Sequence, residues 1–122
     1  MATKFLEGVR VLDLTNVLAG PYCCYQLALM GAEVIKVERP GSGDLARVLG
    51  ADAERNAAGM GISFLAQNAG KKSITLDMKH PRGKELLKQL VRNADVWSKI
   101  SAPASWRVWD WITRSYVKQI PI

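Results

Sequence analysis

The chain has 122 residues, 48% of them hydrophobic, and a formal net charge of +6. That length buries one modest core, no apolar run is long enough to cross a bilayer, and no stripe of Lys and Arg interleaved with aromatics marks a nucleic-acid surface. Cys23 and Cys24 are adjacent and lack metal-ligand spacing, so no metal site is expected; they read as buried or half-buried free thiols in a reducing cytoplasm.

In chain order, Val9, Val11, Leu12 and Leu14 form a short apolar run that predicts a first strand. A turn over Thr15 to Pro21 leads into a helix-sized segment. Pro21 suits the first helical turn, where its missing N–H costs nothing, and Gly31 suits the left-handed position just past the helix end. Val34-Ile35-Lys36-Val37 is the second strand. Strand, helix and strand of this length build a parallel sheet by a right-handed crossover. Ligands of such sheets bind outside the carboxyl ends of the strands, which directs attention to the Thr15–Pro21 turn and to the segment after Val37. The turn lacks Gly-x-Gly-x-x-Gly, so an ordinary dinucleotide site there is disfavoured. Arg39 stands beside Pro40-Gly41-Ser42-Gly43-Asp44, a loop at the mouth of the expected crevice, where a guanidinium can grip phosphate in two-pronged fashion.

Ala46 to Gln67 reads as a loop followed by a short helix closed by Asn68-Ala69-Gly70. Lys71 and Lys72 start the third strand; they read as a solvated edge or, less favoured, as an attraction for phosphates. Ser73-Ile74-Thr75-Leu76 alternates polar and apolar residues, and Asp77-Met78-Lys79-His80 leads to Pro81 at a helix start. Leu86, Leu87, Leu90 and Val91 then give the apolar stripe of a sheet-covering helix, a structural role, with His80 in the capping region. Asp13, at the first strand's end, is expected to bond the N–H groups of its turn rather than to catalyse. Glu38 and Asp44 read as loop or ligand-orienting groups.

The stretches VLDLTNVLAGP, LALMGAEVIKVERPGSGD, NAGKKSITLDMK and PRGKELLKQLVRNADV, in this order between Leu6 and Val96, resemble the class III CoA-transferases, which include formyl-CoA, carnitine and bile-acid CoA-transferases. The resemblance implies an α/β fold: a Rossmann-like parallel sheet with helices on both faces, holding the nucleotide end of coenzyme A. It implies an activity in which CoA passes between an acyl-CoA and a free carboxylic acid through covalent intermediates on an aspartate. By position, Leu18, Ala19, Arg39, Leu76, Asp77, Met78 and Lys79 would line the CoA site. The family's nucleophilic aspartate falls beyond the last residue, so no catalytic residue is assigned and this chain reads as an inactive, truncated amino-terminal piece of an interlocked homodimeric parent. The alternative is a small CoA- or nucleotide-binding module, or a subunit-interaction module.

Residues 1–97 carry the resemblance and 98–122 do not. Trp97, Trp106, Trp109 and Trp111 are all the tryptophans of the chain, and the tail from Ser98 supplies three of the six net positive charges. Read one base back, with permitted codon choices, Trp97 through Trp111 regroup into LVENFSAGVMARLGL, which resembles the family's continuation. The tail is therefore expected to be an out-of-frame segment, not native to the fold.

Overall fold

A computed structural model describes residues 4–100. Most of the tail set apart above, with Trp106, Trp109 and Trp111, lies outside the described residues.

Four strands, β1 (Arg10–Asp13), β2 (Glu33–Glu38), β3 (Lys72–Thr75) and β4 (Val96–Ser98), form one sheet in the order β3-β2-β1-β4, every neighbouring pair parallel. The register sets Val11 beside Val34 and Val96, and Leu12 beside Ile35 and Trp97. Because side chains alternate across a strand, these two rows face opposite sides of the sheet. The fold is α/β with a helix against each face. Helix α1 (Ala19–Leu29) covers the row of Val11 and Val34, with Cys24 and Ala32 completing that core. Helix α4 (Pro81–Arg92) covers the other, where Leu87 and Val91 pack on Leu12 and Val37, with Trp97 and Leu90 at the margin.

The two covering helices end as their sequences suggest. Gly31, at φ +101°, takes the left-handed position after α1 that a side chain resists. His80 caps α4 by accepting the Arg82 N–H on Nδ1 at 3.1 Å, and Pro81 follows it at the first helical position. Its helical stripe is buried at Leu87 and Val91, with Leu86 and Leu90 half-buried.

Two expectations need correction. Residues 46–67 form more regular structure than a loop and one helix. A 3-10 turn (Leu45–Val48), α2 (Ala53–Ala57) and α3 (Ile62–Asn68) follow one another. The first two are nucleated by side-chain caps, Asp44 accepting from the Ala46 N–H and Asp52 from the Arg55 N–H. These caps were legible as Asp-x-x spacing but were obscured by the Ala- and Gly-rich composition around them. The thiols also differ: Cys24 is buried but Cys23 is exposed, because consecutive helical residues point about 100° apart and only one meets the sheet. Burial, followed by the charge of Asp13, pushes the Cys24 thiol up to about 11.

Strand β4 runs across the boundary placed at residue 97, since Ser98 pairs with Asp13 and its carbonyl accepts the Leu14 N–H at 2.9 Å. No helix among the described residues is long and apolar enough to cross a membrane, and none of their His, Cys, Asp and Glu side chains cluster as a metal site.

Candidate functional site

The strand order reverses at β1, because β2 and β3 lie to one side of it and β4 to the other. In doubly wound sheets such a switch point, here between β1 and β4, directs ligands to the carboxyl ends of the strands. Three turns leave these ends: residues 14–18 after β1, residues 39–44 after β2 and residues 76–80 after β3.

Beneath the first two turns lies a buried charge network. Asp13 Oδ1 accepts the Thr15 N–H at 3.0 Å and the Thr15 hydroxyl, as expected of a short carboxylate at a strand end. Its Oδ2 receives the Lys71 ammonium at 2.8 Å, and Lys36 lies 3.9 Å away. Lys36 reaches on to Asp44 Oδ2 at 2.7 Å and to the Thr15 carbonyl at 3.1 Å. The side chains of Asp13, Lys36 and Asp44 are no more than 1% exposed, so two carboxylates and two ammonium groups compensate one another out of water. Lys71 also donates to the Pro21 carbonyl and to Asn68 Oδ1, each at 2.8 Å. It is thus neither a solvated edge nor a phosphate ligand. The doublet concealed this because only Lys72 is exposed, paired across the edge with Glu33. That pairing, with Arg10 as second partner, holds the Glu33 carboxyl at about 2.

Beside the network, a cleft of about 390 Å³ opens between the ends of β2 and β3. Arg39, the Gly41-Ser42-Gly43 loop, Asn56, Ser73 and Thr75 line it, with Glu38 and Arg47 at its base. Arg47 grips Glu38 with two nitrogens at 2.7 Å each, lies 3.8 Å from the centre of the Phe64 ring and donates to the Gly59 carbonyl. Burial pushes the Glu38 carboxyl up, but Arg47, the Ser73 hydroxyl and the Asp44 N–H outweigh it and hold the group at about 2. Glu38 and Arg47 thus cancel. Arg39 is exposed and makes no ion pair among the described residues, leaving it as the cation the cleft presents to an incoming anion.

Of the expected CoA-site residues, Arg39 lines this cleft. Leu18, 61% exposed, stands at the N-cap position of α1 without a side-chain cap bond, and Ala19 begins the helix, both just past the carboxyl end of β1. Leu76 prolongs the β2–β3 ladder through its N–H to the Glu38 carbonyl, and with Met78 it packs partly into the α4 core. Asp77 turns back to accept the Lys79 N–H at 2.9 Å, and Lys79 is exposed. All seven lie at the carboxyl edge of the sheet, in three separate turns. Sequence reasoning singled out Glu38 and Asp44 as loop groups but did not anticipate Arg47 as the partner of Glu38; the signal was Glu38 and Arg47 bracketing a Gly-rich loop with one opposite charge on each side.

A sequence profile of CoA-transferase family III matches residues 6–119. The formyl-CoA:oxalate CoA-transferase of Rhodopseudomonas palustris strain TIE-1 is 52% identical over 94 residues, 77% of this chain and 21% of that protein. The corresponding enzyme of Afipia carboxidovorans is 49% identical over 100 residues, 82% of this chain and 23% of that protein. Among solved structures, the hypothetical protein Rv3272 of Mycobacterium tuberculosis superposes with a TM-score of 0.73 at 38% identity, over 84% of this chain and 27% of that one. A CAIB/BAIF family protein of Brucella suis gives 0.69 at 35% identity over the same shares. The chain thus spans about a fifth of the length of the curated relatives it matches. With a matching profile over nearly its whole length and a parallel sheet shared with solved relatives, the chain belongs to CoA-transferase family III.

Proposed function

We propose that this chain forms part of the coenzyme A-holding portion of a transferase that exchanges CoA between an acyl-CoA and a free carboxylic acid. The observation that carries the reading is the charge arithmetic of the cleft. Glu38 is neutralised by Arg47, so Arg39 alone gives the loop at the end of β2 its positive sign. The phosphorylated nucleotide end of CoA is the anionic half of that molecule and matches such a cleft. Its pantetheine arm then runs along the carboxyl edge of the sheet, past Leu18 and Ala19 and the Leu76–Lys79 turn. Asp13, Glu38 and Asp44 are each held in an ion pair by Lys71, Arg47 and Lys36, so these carboxylates serve structure and the chain's contribution is binding rather than a nucleophile. The cytoplasm as compartment and an interlocked homodimer as the assembled state belong to the same reading.

Titration of the full 122-residue chain with coenzyme A by calorimetry tests it. Saturable binding at one site per chain, weakening as ionic strength rises, is expected. Absence of saturable heat overturns the reading.

A further inference from the structure

The turn after β1 and the loop after β2 hold each other by reciprocal hydrogen bonds. The Val17 N–H donates to Asp44 Oδ1 at 3.0 Å, and the Leu45 N–H donates to Asn16 Oδ1, also at 3.0 Å. Between these bonds Val17 sits at φ +72°, the one positive φ among the described non-glycine residues. For a β-branched side chain this is a genuine outlier, retained only where the surroundings over-determine it. The surroundings here are specific. Asp44 is fixed from four directions: its N–H donates to Glu38 Oε2 at 2.8 Å, Oδ1 accepts from Val17 and Ala46, and Oδ2 meets Lys36. One carboxylate therefore joins the Arg39–Gly43 loop that edges the cleft to the turn that carries Leu18 and Ala19.

We propose that Asn16 and Asp44 are positioning residues of the CoA site, a latch that sets the β1 turn against the β2 loop so that one ligand touches both, with the strain at Val17 as the cost of that alignment. The inference rests on the CoA-binding reading above. Neither side chain need touch the ligand. Asn16 has its amide oxygen committed to Leu45, and Asp44 is buried beneath the loop. What the latch fixes is the separation of two turns that belong to different strands, which sequence-local hydrogen bonds cannot fix.

The test compares Asn16→Ala and Val17→Gly with the unaltered full chain, measuring coenzyme A affinity by calorimetry and thermal midpoint by circular dichroism. Asn16→Ala opens one half of the latch at an exposed position, and Val17→Gly accepts the left-handed conformation without strain while freeing the turn. Asn16→Ala is expected to weaken CoA about fivefold, the value of roughly one hydrogen bond, and Val17→Gly, which keeps both bonds but loosens the turn between them, to weaken it by less. Val17→Gly should do so with an unchanged or raised thermal midpoint. A purely structural turn would show the midpoint rise with no change in affinity. Equal affinity in all three proteins overturns the latch while leaving CoA binding in place. Absence of binding by the unaltered chain overturns the reading of the site, and the latch with it.

Discussion

The Lys71 ammonium lies 2.8 Å from Asp13 Oδ2, joining the end of β1 to the residue just before β3, with both side chains 2% exposed or less. Neither strand is the other's neighbour, since β2 lies between them. The pair therefore ties β1 to β3 across β2, and the bond from Lys71 to the Pro21 carbonyl extends the tie to α1.

Replacing Lys71 by methionine keeps the length of the stem but strands the Asp13 carboxylate, whose next cation, Lys36, is 3.9 Å away and already engaged by Asp44. Removing one member of a buried pair costs about 3 kcal/mol or more. Urea denaturation of Lys71→Met should show that loss as a lower midpoint. Unchanged stability would mean that Lys36 can serve both carboxylates.

Gly83 makes the opposite kind of demand, steric rather than electrostatic. A Cβ placed there would stand 1.8 Å from the Asp77 carbonyl oxygen, because α4 passes directly against the turn that follows β3. On an exposed helix Gly→Ala gains about 1 kcal/mol. At this position Gly83→Ala should instead destabilise by about 2 kcal/mol or more, as α4 is pushed off the sheet. Thermal melts decide the sign.

How much of this was legible differs between elements for physical reasons. The β1-α1-β2 unit and α4 were readable because each carries a periodic apolar pattern bounded by Pro or Gly, and the periods are set by local geometry. The place of Arg39 at the mouth of the cleft was readable because it directly follows a strand and opens a Gly-rich loop. Lys71 was not, because its partner is 58 residues away and nothing local tells a buried lysine from a solvated one. Residues 46–67 failed for a related reason. Their short helices are held by caps and by Arg47 stacked on Phe64, contacts that leave no period in the sequence.

The acid response follows from Glu38. Its carboxyl falls from an ordinary 4.5 to about 2 on folding. A depressed folded value means stability that is fully present above the unfolded value and is lost as pH falls through the folded one. The window is therefore pH 4.5 down to 2, and the amount is about 3 kcal/mol. Glu38→Gln should lower the thermal midpoint at pH 7 and flatten its dependence across that window. A variant that stays as acid-sensitive as the parent would place the sensitivity elsewhere, with Glu33 the next group to replace.

Arg39 separates binding from stability most cleanly. It is exposed, it faces the cleft, and it makes no ion pair among the described residues, so its removal breaks nothing that holds the fold. Surface substitutions of that kind leave stability within about 0.5 kcal/mol. A charge-assisted contact to phosphate is worth about 1.5–3 kcal/mol, and Arg39→Ala should weaken coenzyme A by at least about tenfold with the thermal midpoint unmoved. Arg39→Lys should fall between, keeping the charge but not the fork that meets two phosphate oxygens at once. The gap between parent and alanine variant should narrow as salt is raised, because the missing term is electrostatic and the site is open to solvent. Equal affinities at low salt would remove Arg39 from the site. They would shift the anion's partner to the Lys79 turn, where Lys79→Ala is the matching measurement.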